Sequence, residues 1–284
     1  METIASLSGE ARQCSEVALA LSICSGENVE SSTNLTVGRF SGYFKHSGSA
    51  YYGVVTAIPM LLVYEALLFI GGNPQMGQIR NLGDVWLRQI LGSLDIKQSH
   101  AAMVMLLGLV IAMVVLRRGG IRLKGSYLGP MAAEAAVYGL LLAIISNVIF
   151  AISSFVLEGP ALQTQALAAA GASSGGVVQN IALFLGAGLF EEFIFRVVLL
   201  WGLLLLFKPW LPNYLATAAA IGIAAGLFSA AHYIGPMAYR LEFQTFLFRF
   251  IAGLWFTGVY YFRGFSLAAY SHAFYDIMIY TYPG

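Results

Sequence analysis

Between Val177 and Phe207 the sequence is apolar apart from Gln179, Asn180, Glu191, Glu192 and Arg196, and this run limits the possible folds more than any other stretch. At the helical rise per residue it is long enough to cross a hydrocarbon core of about 30 Å, so its charges fall at membrane depth. Each charge placed there costs from about 2.5 kcal/mol upward. Two acids and a guanidinium so close together must pair, face a wet cavity, or both. Residues four apart share a helical face, so Glu192 and Arg196 are expected to form an ion pair. Glu191 then points elsewhere, past the small residues Ala187 and Gly188, which leave room beside it. One reading of the triplet is a polar glue between helices; the other makes Glu191 a general base.

The chain as a whole is 58% hydrophobic and 10% charged, against roughly a quarter charged in a soluble domain. This composition predicts an all-α, polytopic transmembrane helical bundle in a lipid bilayer. A net charge of +1 with no concentrated basic stripe argues against nucleic acid as a partner. The two cysteines, Cys14 and Cys24, lie in the polar N-terminal region and suggest neither a disulfide framework nor a thiolate metal site. Residues 1–48 read as a polar, mobile extension, and residues 49–284 as the transmembrane domain, with the chemistry-bearing motifs in 177–282. The apolar run Val17 to Cys24 is too short to span, and acids rather than basic residues precede it, so it does not read as a signal peptide.

Seven spans are expected: Tyr51 to Ile70, Ala101 to Leu116, Met131 to Leu157, Val177 to Phe207, Tyr214 to Tyr233, Leu241 to Phe262 and Phe265 to Tyr282. Between Ile79 and Ile96, Arg80, Asp84, Arg88 and Asp95 interleave with apolar residues. That amphipathic pattern suits a helix lying at the interface, an eighth half-span. The basic cluster Arg117, Arg118, Arg122 and Lys124 marks a cytoplasmic end by the positive-inside rule. With the N-terminus cytoplasmic, this describes a multi-pass protein of a bacterial-type inner membrane. Simple alternation leaves Glu191 in mid-helix but His232 near the outer end of its span, so these depths do not coincide unless spans tilt or break around a water-filled cavity.

Two more polar pairs lie in the last three spans, each one helical turn apart: Phe228 with His232, and His272 with Asp276. Asp276 is placed to hold the tautomer of His272 through a same-face contact. Together with Glu191, Glu192 and Arg196 these residues form the ordered signatures EExxxR, FxxxH and HxxxD. On them the chain resembles the CAAX-protease and bacteriocin-processing family of intramembrane endopeptidases, over roughly Val177 to Tyr282. The resemblance implies that Glu191 activates the attacking water and that His232 and His272 assist at the substrate carbonyl. The third signature often ends in Asn in the prenyl-processing members, whereas this chain has Asp276.

Amide hydrolysis needs a base for water, donors for the oxyanion and an acid for the leaving amine. Glu191 serves as base and proton carrier, and His232 or His272 as donor, acting on a membrane-anchored peptide or protein. A mechanism with no cofactor is favoured, because no HExxH helix is present and Arg196 would set a cation beside a metal; zinc accepts these ligand types, and the spacing leaves a zinc-dependent protease using the same residues as the alternative. Two further readings stand beside the peptidase. One is a proton-coupled transporter, which would use the same buried acids and histidines as a relay, although no internal repeat is visible. The other is a non-enzymatic membrane scaffold.

Overall fold

The computed structural model describes residues 42–71, 79–157, 176–234 and 241–281, those at 150 and 153–157 by backbone alone. Most of the expected polar extension and of the loop 158–176 therefore lies outside the described residues. The chain divides into Met1–Gly42 and Tyr43–Gly284, and the elements below belong to the second unit.

Every element among the described residues is helical: α1 (Ala50–Gly71), α2 (Leu82–Ser93), α3 (Gln98–Arg117), α4 (Leu128–Leu157), α5 (Val177–Gly186), α6 (Leu200–Phe207), α7 (Asn213–Ala231) and α8 (Phe243–Thr281). A 3₁₀ turn, Gly125–Tyr127, precedes α4, and two π-helical segments, Ala187–Glu191 and Phe193–Leu199, join α5 to α6. Only helices satisfy every backbone group internally while crossing lipid without closing into a barrel. The surface is correspondingly apolar. On α3 Ala101 is the buried residue, while Met103, Leu107 and Ile111 are more than half exposed. The protein is an integral membrane protein whose outer helices face lipid.

Among the described residues five helices are long and apolar enough to cross a membrane: Ala50–Gly71, Gln98–Arg117, Gly125–Ile149, Asn213–Ala231 and Phe243–Thr281. The difference from the seven expected spans arises at two places. From Val177 to Phe207 the hydrogen bonding changes from α to π and back, although the linking residues Ala187, Glu192 and Leu200 all keep right-handed helical dihedrals. The expected sixth and seventh spans are the two arms of α8, separated at Gly264, where φ is 80° and ψ 179°. That conformation belongs to glycine, and a Cβ at this point would collide with the carbonyl of Gly48.

The arms of α8 fold back on each other. Phe248 and Phe256 from the first arm, Tyr275 and Ile279 from the second, and Leu142 and Ala143 of α4 make one buried cluster. A second cluster joins α1 (Ala57, Met60, Tyr64) to Leu189 and Phe190 of the first π segment and to Ala269 and Ala273 of α8. Contact there is close: a Cβ on Gly188 would strike the carbonyl of Ala269.

Polar groups are turned inward. Glu134 of α4 pairs with Arg263, the residue before the α8 break, and accepts hydrogen bonds from Tyr43 (2.7 Å) and Tyr138 (2.9 Å). Ser47 joins this group at 3.0 Å from an Arg263 nitrogen. The amphipathic segment, expected not to cross, is the short helix α2. At about 18 Å, α2 is too short to cross. Its polar face does not lie towards water: Asp84 and Arg88 are buried, whereas Ile90 and Leu94 are exposed. Asp84 is gripped by Arg80 (2.9 Å) and Arg88 (2.7 Å), and both guanidinium groups also pair with Glu65 of α1. Burial works against the charge on Arg80, but the hydrogen bonds to Glu65 and Asp84 outweigh it and hold that guanidinium above its ordinary range. In lipid the apolar side of such a helix belongs outside and its charges belong inside, paired.

Candidate active site

The seven polar and aromatic motif residues come together between the π segments, the end of α7 and the second arm of α8. Glu191 closes the first π segment and Glu192 links it to the second, which carries Arg196. Such wide turns recur at functional sites in other helices. Glu192 and Arg196 lie within 3.0 Å, both almost fully buried, so the expected ion pair is present by distance. Arg196 also donates to the carbonyl of Gly253 at 3.3 Å. Its guanidinium carbon stands 4.5 Å from the Phe228 ring centroid and 5.6 Å from that of Phe256, aromatic faces that favour a cation.

His272 Nδ1 is 2.7 Å from Glu192 Oε1, whereas its Nε2 is 3.7 Å from Asp276 Oδ2. The orienting partner of His272 is thus chiefly Glu192, eighty residues away in sequence, rather than Asp276 one turn away. Against the carboxylate, Nδ1 carries the proton and donates. Phe256 stacks on one face of the imidazole, with centroids 4.4 Å apart.

Glu191 faces another way. Its Oε2 is 3.8 Å from His232 Nε2 and accepts no hydrogen bond among the described residues. His232 caps the C-terminus of α7, and its Nδ1 lies 2.9 Å from the Phe228 carbonyl. A carbonyl can only accept, so Nδ1 donates and Nε2 of the neutral ring keeps its lone pair towards Glu191. The conflict of depths disappears here, because α6 and α7 share the short turn 208–212 and Glu191 and His232 stand at comparable distances along the helices leaving it. Phe228 fills the centre, its ring edge-on to His232 (5.2 Å) and His272 (6.0 Å).

One contact was not legible in the motifs. Asn81, the residue that caps α2, donates from Nδ2 to Glu191 Oε1 at 2.8 Å. Its only signal in the sequence is that of an N-cap, an Asn before a helical segment with an acid in its first turn. Trp86 of α2 packs against Phe195, Phe228 and Ala231, so α2 covers the motif residues from one side. Among the described residues no three of His, Cys, Asp and Glu are grouped as a metal site would require.

Residues 172–278 match the family model described as type II CAAX prenyl endopeptidase Rce1-like. Over this segment the chain is similar to the CAAX proteases that the family model describes. The matched segment contains Glu191, Glu192, Arg196, Phe228, His232, His272 and Asp276, the residues that carry the resemblance, and leaves α1 to α4 and Asn81 outside it. No curated protein and no solved structure matches the chain.

Proposed function

We propose that the protein is an intramembrane endopeptidase that hydrolyses a peptide bond of a membrane-associated substrate with a water activated by Glu191. The observation that carries this reading is the pairing of Glu191 Oε2, which accepts no hydrogen bond among the described residues, with the lone pair of His232 Nε2 at 3.8 Å. A water between them donates one proton to each and is aimed by both. Glu191 takes a proton as the water oxygen bonds to the carbonyl carbon. The carbonyl π electrons move to oxygen, and His272, protonated on both nitrogens between Glu192 and Asp276, donates to that oxyanion. Glu191 then passes its proton to the amide nitrogen as the C–N bond breaks, leaving a carboxylic acid and an amine. Glu192 and Arg196 hold the frame, and Phe228 keeps the two imidazoles apart. The family match over 172–278 supports protease activity of the CAAX type. The basic end Arg117 to Lys124 is assigned to the cytoplasm.

The test is purified protein in lipid with a library of membrane-anchored peptides, analysed by mass spectrometry. Wild-type protein is expected to cleave, and Glu191→Gln to accumulate normally without cleaving. Cleavage by that variant at the wild-type rate would overturn the reading, and ion-driven uptake without hydrolysis would favour a transporter instead.

A further inference from the structure

We infer that Asn81 is a positioning residue for Glu191, setting which carboxylate oxygen receives the proton of the attacking water; this rests on the endopeptidase reading above. The Asn81 amide is committed at both ends. Oδ1 accepts from the backbone N–H of Gly83 at 2.8 Å, and Nδ2 donates to Glu191 Oε1 at 2.8 Å. One oxygen of Glu191 is therefore held by the protein while the other looks towards His232. The terminal torsion of a glutamate is broad, and without the tether the carboxylate would turn through orientations in which neither oxygen bisects the imidazole and a bound peptide.

Asn81 is itself held firmly. Its backbone N–H lies 3.4 Å from the hydroxyl of Tyr64, which donates to the buried Asp84 at 2.8 Å. Asp84 is in turn fixed by Arg80 and Arg88. The approach to the catalytic helix is close enough to need glycine on both sides. A Cβ on Gly186 would come within 2.9 Å of Asn81 Cβ, and one on Gly83 within 2.8 Å of Phe190 Cβ. The paired charges of α1 and α2 thus set the position of one amide group, which sets that of the base.

Capping of α2 uses Oδ1 and positioning of Glu191 uses Nδ2, so substitution separates the two roles. Asn81→Ser keeps an oxygen suited to the cap and loses the amide donor that meets Glu191, since its hydroxyl stands one bond nearer the backbone than Nδ2. The expected result is normal accumulation and unchanged KM for a cleaved membrane-anchored peptide, with kcat reduced on the order of 10- to 100-fold, the scale of a small misplacement of a reacting group. Wild-type kcat in the serine variant would overturn the inference. So would failure of that variant to accumulate with its cap intact, since the contact to Glu191 would then hold the fold rather than aim the base.

A second measurement needs no substrate. Dicyclohexylcarbodiimide, an apolar reagent for membrane-buried neutral carboxyl groups, is added to the protein in lipid, and coupling at Glu191 is followed by fragmentation mass spectrometry. Without the tether from Asn81 the carboxyl turns more freely towards the reagent, so Asn81→Ser is expected to label several-fold faster than wild type. Equal rates would overturn the positioning role. Absence of peptide cleavage by the wild-type protein would instead sink the endopeptidase reading and leave the labelling difference between wild type and Asn81→Ser standing, so the two failures are told apart.

Discussion

Phe256 and His272 stand eight residues to either side of Gly264, and their rings stack with centroids 4.4 Å apart and planes 18° from parallel. The imidazole is fixed by one fold of the backbone, with an aromatic face on one side, the edge of Phe228 beyond, and carboxylates at both nitrogens.

Phe256 is therefore both core and support for the site. Phe256→Ala is expected to destabilise the protein by roughly 3–5 kcal/mol, as buried aromatic truncations do. Phe256→Leu should keep most of the stability yet lower turnover, because a branched aliphatic cannot stack on the ring. Thermal unfolding in detergent, set beside peptide cleavage, separates the two effects. Equal stability of the alanine variant and wild type would contradict the packing described.

Glu192 and Arg196 are buried together, and removing either strands the other. Glu192→Ala and Arg196→Ala should each cost about 3–5 kcal/mol and lower the yield of monodisperse protein on size exclusion. The double variant Glu192→Gln, Arg196→Met removes both charges at similar volume and is expected to recover yield. It should not recover cleavage, because His272 has lost its charged partner.

Gly264 cannot be replaced without moving the hairpin. Strain in that backbone region costs on the order of 1–3 kcal/mol for a residue with a side chain, and the added Cβ also meets the Gly48 carbonyl. Gly264→Ala should accumulate poorly at 37 °C and better at lower temperature. Wild-type yield at both temperatures would show that the two arms are not held to this geometry.

Metal dependence is open to a direct test. With Glu191 as base and no ion in the proposed steps, cleavage should be unchanged by dialysis against a strong chelator. Loss of cleavage that zinc restores would replace the mechanism with a metal-assisted one, in which His232 Nε2 and Glu191 Oε2 would be the first ligands to examine.

Motif spacing carried the local half of the site. The Glu192 to Arg196 contact and the shared face of Phe228 and His232 follow from residues one turn apart, and helical period alone exposes them. What spacing could not carry were partners chosen by tertiary packing. His272 and Asp276 also sit one turn apart, yet Glu192 lies closer to the imidazole, a contact set by the approach of the first π segment to α8. Asn81 was hidden for the same reason, since an asparagine ahead of a helix reads fully as a cap. For α2 the pattern was visible and its direction was not. Amphipathic periodicity says that one face differs from the other, and only the surroundings decide that here the charged face turns to protein and the greasy one to lipid.

The two π-helical segments have a consequence for how this helix tolerates changes of length. A π turn closes over one residue more than an α turn, so the flanks α5 and α6 keep their rotational phase only while that residue count is held. A deletion within Ala187 to Leu199 would not simply shorten the helix. It would relax a coil to the common pitch, swing Glu191 and Glu192 around the axis relative to α7 and α8, and part the acids from their imidazoles even though every side chain of the three signatures was still present.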